Sequence, residues 1–395
     1  MPGRAWYNAA RGAKFLPPAR LHYAVMASPL AALHPDLAGP VVDGHTDVPT
    51  RLHHRPADLG ERLADGHVDL PRLREGGVTS PVFALYVPSI LDAEEGWRHA
   101  VALYEEVERQ VRPGELEVVA SEADVRRAAA AGVVGVLLGL ENGLPLLVDG
   151  ALARCAALGV RYVTLTHIAS HAWCDASTDD PVHGGMSDQG VAIVREMRRR
   201  GILVDVSHVS DDAVLHAIDA VRAPVIASHS SARALCDHPR NLPDSLIREI
   251  ARSGGIVMAN AYPAFLDEAA SRANSERTRE ILRRVEELRA EGALDPGSYA
   301  RVGREVTSAN PLPPVPLARF VDHIVHLVEV AGEEHVGVGT DFDGISETPV
   351  GFEDVSRFPA LARALLDRGL PPPTVRLVLG ESFLRVLADA ERRAG

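Results

Sequence analysis

The chain has 395 residues, 46% of them hydrophobic and 24% charged, with a formal net charge of −13. That length accommodates one large α/β domain, and the acidity argues against non-specific nucleic-acid binding, whose affinity comes from Lys and Arg on phosphates. Lys14 is the only lysine among 41 basic residues, which leaves the body of the chain without an amine for a Schiff base, a P-loop or a carbamylated metal bridge; any bridging ligand must be a carboxylate.

Residues 1–39 read as an N-terminal extension ahead of a single domain at 40–395. The extension is basic at Arg4, Arg11, Lys14 and Arg20 without the apolar stretch of a signal peptide, and Met26 offers an alternative start. From residue 40 onward short apolar runs alternate with longer amphipathic stretches, the pattern of βα units. Strands are predicted at 40–44, 80–86, 133–140, 161–166, 202–206, 224–227, 255–259 and 335–339, with helices at 94–111, 123–131, 150–158, 190–200, 211–221, 243–252 and 317–331. Strands too apolar to face water on either side predict an α/β fold, a (β/α)8 TIM barrel. A doubly wound open sheet is the alternative, but no G-x-G-x-x-G follows the first strand and no P-loop occurs. The stretch 265–316, charge-dense from Glu276 to Glu291 and Pro-rich at its exit, reads as a helical insertion after the seventh strand, either a lid over the active face or a solvated decoration. Helices at 355–368 and 373–393 close the chain.

The first strand runs into His45-Thr-Asp47, and residues two apart on an extended chain point the same way, so an imidazole and a carboxylate converge. Glu141, His167, His208, His229 and Asp341 close further apolar runs. Packing alone does not place ligating or proton-transferring residues at six strand ends, whereas barrel catalytic groups gather at the C-terminal face. Imidazoles and carboxylates without cysteine suit zinc, with Mn, Fe, Co or Ni as substitutes. Five ligands around one central carboxylate suit two ions about 3.5–4 Å apart with water between them, whose pKa falls toward neutrality. His53, His54, His171, His183 and His238 end no strand in register, Asp205 reads as a buried group orienting a ligand histidine, and Trp173 and Asp175 either line the pocket or pack their loop.

These motifs together resemble the membrane (renal) dipeptidase family of zinc peptidases, amidohydrolase-like barrels, over about residues 41–387: His-x-Asp, Glu-Asn-Gly, Arg-Tyr-Val-Thr-Leu-Thr-His, Asp-Val-Ser-His, Ser-His-Ser-Ser-Ala, His-Pro-Arg-Asn-Leu-Pro-Asp and Gly-Thr-Asp-Phe-Asp-Gly occur in order. The resemblance implies that His45, Asp47 and Glu141 hold one zinc and Glu141, His208 and His229 the other, with Glu141 bridging. It implies that His167 stabilises the oxyanion, Arg240 grips the substrate carboxylate and Asp341 handles the proton of a metal-bridging hydroxide, while Asp343 is structural. The expected activity is hydrolysis of free dipeptides, including those with a C-terminal D-residue. A related amidohydrolase acting on N-acyl amino acids or β-lactams, and a degenerate homologue that only binds peptides, are the alternatives. Ser382 stands where the family has Asn and reads as a helix cap.

The expected setting is a soluble bacterial protein of the cytoplasm. The three cysteines, Cys155, Cys174 and Cys236, are odd in number and lack metal-ligand spacing, and no run approaches the roughly 20 apolar residues of a membrane span. A homodimer is among the states the resemblance implies.

Overall fold

A computed structural model of the chain describes residues 28–293 and 298–394. The expectations about Met26 and the basic extension fall outside the described residues. From residue 28 the chain already packs on the domain, with Leu30 and Leu37 fully buried in its core.

Nine parallel strands form the sheet: β1 (Val42–Thr46), β2 (Ser80–Tyr86), β3 (Leu116–Val118), β4 (Val134–Glu141), β5 (Val160–Thr164), β6 (Leu203–Asp205), β7 (Val225–Ala227), β8 (Ile256–Ala259) and β9 (Val336–Val338). Their order is β1-β2-β4-β5-β6-β7-β8-β9, and β3 pairs with the outer part of β4 off this path. Eight of them make the nearly closed, TIM-like barrel that the alternation of apolar runs predicts. The open seam lies between β9 and β1. It is closed at its C-terminal end by Asp341 N–H on the His45 carbonyl (3.0 Å) and Asp47 N–H on the Phe342 carbonyl (2.8 Å). Buried Asp43 adds a side-chain clip, accepting the Thr340 N–H (2.8 Å) and hydroxyl (2.6 Å).

Observed strands differ from the predicted ones mainly at their ends. β1 runs through His45 to Thr46, whereas β5 and β6 stop at Thr164 and Asp205, three residues before His167 and His208. The polar residues at those ends leave the ladder and turn inward across the barrel mouth. β3 has only Leu-Glu-Val, too short a run to register as a strand. Two short helices between β1 and β2, Val48–His54 and Leu70–Gly76, were also not anticipated; each has a proline in its first turn, where a missing N–H costs nothing. The helices after β5 and β6 begin at serine caps, with Ser187 accepting the Gly190 N–H and Ser210 the Ala213 N–H.

The barrel interior is a core of its own. Val42, Val82, Leu137, Tyr162, Leu203, Ile226, Ile256 and Met258 fill it, and Phe383, Leu384, Val386 and Leu387 of the last helix, Ser382–Arg393, pack against them from the strand N-termini. Each such side chain contributes about 1.5–3 kcal/mol when fully buried. Ser382 is not a cap: it already has helical backbone angles just past the break at Gly380, and its hydroxyl donates to the Glu333 carbonyl. The segment after β8 forms helices Pro263–Leu266, Glu268–Ala290 and Ser298–Ala309. No helix among the described residues is long and apolar enough to cross a membrane.

Candidate metal centre

With the lower barrel closed by apolar side chains, the polar strand ends meet at the opposite mouth. His45 on β1 directs Nε2 to Glu141 Oε2 (3.4 Å) and Asp47 Oδ2 (3.6 Å). Glu141, the last residue of β4, turns its other oxygen to His208 Nε2 (3.2 Å) and His229 Nε2 (3.6 Å), and those two nitrogens are 2.9 Å apart. Thus the two oxygens of one buried carboxylate face two sets of imidazoles. Asp47 begins the helix Val48–His54, yet its side chain makes no cap hydrogen bond and remains available to the site.

Ligand atoms about 2.0–2.1 Å from a tetrahedral zinc lie roughly 3.3 Å from each other; the separations of 2.9–3.6 Å just given match that packing. His45 Nε2 is buried without a hydrogen-bond partner and faces the carboxylates of Asp47 and Glu141. Three triads have ligand atoms within 4.8 Å of one another: His45, Glu141 and His229; Glu141, His167 and His208; and His45, Asp47 and Asp341. Two of them share Glu141, as a binuclear site requires. The triads cross the ligand sets implied by the resemblance, because the His45 and His229 rings are only 3.9 Å apart and His167 also lies near Glu141.

Electrostatics point the same way. Burial pushes Asp47 up to about 7, helped by the Glu141 charge, and burial also raises Asp341. Burial works against Glu141 as well, but His45 and His208 hold it well below the usual carboxylate range. Burial keeps His208 and His229 neutral, far below the ordinary histidine value. An ionised Glu141 and neutral His208 and His229 are the ligand forms a divalent cation needs; His45, which burial lowers but Tyr162, Glu141 and Asp47 together hold well above the ordinary histidine value, would give up its proton to one, and a cation would relieve the crowding of three carboxylates.

Around this centre stand the other predicted residues. His167 is at the lip, its Nε2 3.9 Å from Glu141 Oε1 and its ring edge-on to Tyr86; burial lowers its pKa to about 4. Arg240 is 5% exposed and has no carboxylate partner among the described residues. Among the described residues its guanidinium hydrogen-bonds only to Ser230 Oγ (3.4 Å) and the His229 carbonyl (3.2 Å) and lies over the Phe265 ring, and burial lowers its pKa to about 10. Asp341 accepts a hydrogen bond from Asn260 Nδ2 at 3.0 Å. Both His208 (φ 72°) and Asp341 (φ 65°) occupy the left-handed region, which costs an L-residue about 1–2 kcal/mol.

Several residues serve the scaffold. Asp343 pairs with Arg51 (2.8 Å) and accepts the His67 N–H, while Asp175 gathers the backbone N–H groups of Val182, His183 and Gly185. Trp173 is fully buried against Gly143 and Gly190. His171 and His183 bond backbone carbonyls, and His238 accepts the Arg240 N–H. Asp205 bonds Ser228 Oγ, which is 2.7 Å from His229 Nδ1. Sequence reasoning passed over Asn260, although it closes the apolar run Ile-Val-Met-Ala at the same strand-end position as the ligands. It also passed over Gly344, where a Cβ would strike both Asp47 and Asp341.

Comparison with known proteins agrees with this geometry. The family model for membrane dipeptidase, peptidase family M19, matches residues 36–395. Dipeptidase aclJ of Aspergillus oryzae is 34% identical over 375 residues, covering 90% of this chain and 79% of that protein. The crystal structure of the probable dipeptidase PvdM from Pseudomonas aeruginosa matches with a TM-score of 0.79 at 25% identity, over 93% of this chain and 99% of its own. A metallo peptidase from Rhodobacter sphaeroides, liganded with a phosphinate mimic of the dipeptide L-Ala-D-Ala, matches with a TM-score of 0.73 at 26% identity, over 89% and 99%. With the barrel, the paired His and carboxylate clusters on Glu141 and a family match over nearly the whole chain in agreement, the protein belongs to the membrane dipeptidase family, peptidase family M19, and is a metallo-dipeptidase.

Proposed function

We propose that the protein hydrolyses free dipeptides, including those with a C-terminal D-residue, with two zinc ions held by His45, Asp47, Glu141, His208 and His229. The observation that carries this reading is Arg240, a buried guanidinium with no carboxylate partner among the described residues, set beside the metal centre. A desolvated, unpaired arginine lacks the anion that its planar fork is suited to bind. A free dipeptide supplies that anion one residue from its scissile bond. The ligand of the Rhodobacter sphaeroides relative supports the D-residue.

When bound, the two ions would supply Lewis-acid polarisation and lower the pKa of nearby water. The protein's own groups do the rest. Arg240 anchors the terminal carboxylate, and neutral His167, at the lip, donates a hydrogen bond to the carbonyl oxygen as negative charge develops on it. Asp341, steadied by Asn260, takes the proton of the attacking water and passes it to the amine as the C–N bond breaks. A cytoplasmic setting belongs to the same reading, supported by three buried free cysteines.

The test is a panel of L,L and L,D dipeptides with their N-acetylated and C-amidated counterparts. The zinc-loaded enzyme is expected to turn over the free dipeptides and to lose rate on amidation. Arg240→Met should lower kcat/KM on free dipeptides by about 10²-fold or more, the effect of removing one partner of a buried charge pair, and change little on amides. Inactivity on every free dipeptide with two ions bound, or equal turnover of N-acetylated substrates, would overturn the assignment.

A further inference from the structure

Tyr162 belongs to the Arg-Tyr-Val-Thr-Leu-Thr-His stretch but has no part in the chemistry above. It projects from β5 into the barrel interior, fully buried, just beneath the metal centre. β4 makes room for it at Gly139, where a Cβ would come within 2.4 Å of the phenol ring.

Its hydroxyl lies 2.8 Å from His45 Nδ1 and 3.1 Å from the Gly44 carbonyl. A phenol has one proton, and a carbonyl can only accept. All three groups are satisfied when Tyr162 donates to Gly44 and accepts the Nδ1–H of His45. That tautomer leaves a lone pair on Nε2, the nitrogen that faces Asp47 and Glu141 and has no hydrogen-bond partner.

The other two imidazoles are held differently. His229 Nδ1 is 2.7 Å from Ser228 Oγ, whose proton goes to Asp205 Oδ2 at 2.6 Å, so His229 donates into a serine–carboxylate relay. His208 Nδ1 has no hydrogen-bond partner among the described residues. The outer contacts of the site are therefore unequal: a neutral phenol behind one histidine, a carboxylate relay behind the second and, among the described residues, no hydrogen-bond partner behind the third.

We propose that Tyr162 is a positioning residue that locks His45 in the Nδ1–H tautomer and thereby sets the affinity of the metal position built on His45, Asp47 and Glu141, independently of the position on His208 and His229. This rests on the two-metal reading given above. The Ser228–Asp205 relay is the corresponding device for the second position, and the two devices touch different histidines.

The experiment is stepwise titration of the zinc-loaded full chain with a chromogenic chelator, in wild type, Tyr162→Phe, Ser228→Ala and the double variant. Tyr162→Phe keeps the ring in the Gly139 space and removes one oxygen. It is expected to release one of two ions with affinity lowered about 10–100-fold, the usual effect of losing an outer hydrogen bond to a ligand, while the other ion stays as tight as in wild type. Ser228→Ala should weaken one ion, and the double variant both. If Tyr162→Phe holds both ions as tightly as wild type, or releases both more easily, or if the double variant still weakens only one, the proposal is overturned. A wild type that binds fewer than two ions would instead overturn the two-metal reading. Unfolding midpoints of the four proteins separate a packing defect from a ligand effect.

Discussion

A methyl group on Gly344 would lie 2.2 Å from Asp47 Oδ2 and 2.6 Å from Asp341 Oδ1, closer than atoms approach without bonding. Gly344→Ala should therefore push both carboxylates off position and lower kcat about 10²-fold, since displacements near 1 Å at a reacting centre have that effect. Thermal unfolding should move little, because the clash falls on side chains at the mouth and not on the core; a large drop in Tm with unchanged kcat in the remaining folded protein would sink this reading. At this scale the sequence was legible where a residue type announces its chemistry. His45, Asp47, Glu141, His208 and His229 stood out with His167 and Asp341 at strand ends because imidazoles and carboxylates are what metals bind, the family resemblance singled the five out as ligands, and the structure brings all five together. Tyr162, Asn260 and Gly344 escaped because their contributions are made through space. Tyr162 and His45 are 117 positions apart, and nothing in either local pattern marks the contact.

Besides its buried apolar contacts, the insertion after β8 is tied to the barrel by a largely buried ion pair. Arg277, on the helix Glu268–Ala290, is 3% exposed and pairs with Glu347 in the loop that follows Asp341; it also donates to the Thr307 and Asn310 carbonyls. Burial works to raise the Glu347 carboxyl, but Arg277 and Ser346 hold it below its ordinary value. The helix's other pairs, such as Arg283 with Glu280 and Glu287, are exposed and add little. Arg277→Ala should cost about 2–3 kcal/mol, below the 3–5 of a fully buried pair because Glu347 is a quarter exposed. Limited proteolysis should then cut first within 268–309; cleavage elsewhere at unchanged rate would count against the tether. The charge run was enough to read a helical insertion from the sequence. Whether it is a lid or a solvated decoration was not legible, because the tie that holds it joins Arg277 and Glu347, 70 residues apart, and arginine is common throughout this chain.

Across the molecule, His323 ties three elements together. It sits fully buried on the helix Leu317–Ala331, accepts the Ala232 N–H on Nδ1 (3.1 Å) in the loop after β7, and donates from Nε2 to the Leu266 carbonyl (3.1 Å) at the start of the insertion. Burial lowers its pKa to about 4, with Arg319 and His326 adding to the effect and the Leu266 carbonyl and Asp322 opposing it. The unfolded chain, with a histidine pKa near 6.5, takes up the proton first as pH falls, so the stability held by neutral His323 is complete above about pH 6.5 and is lost toward pH 4, by at most roughly 3 kcal/mol. His323→Gln keeps a neutral donor and acceptor. In urea unfolding in one zinc-containing buffer series, the gap in stability between wild type and variant should shrink as pH falls from 8 to 5; a constant gap would refute the assignment. The barrel itself was readable from alternating apolar runs, but its seam was not, because Asp43 on β1 and Thr340 just past β9 are 297 residues apart and nothing local marks their contact. That seam also sets the order of events in the cell. His45 and Asp47 leave the ribosome long before Asp341, by roughly 15–60 s at about 5–20 residues per second. The seam therefore stays open, and Asp341 stays out of the barrel mouth, until β9 and the turn after it have been made. Barrel closure is consequently a late act of maturation, coming after all five candidate ligands, of which His229 is the last, have left the ribosome.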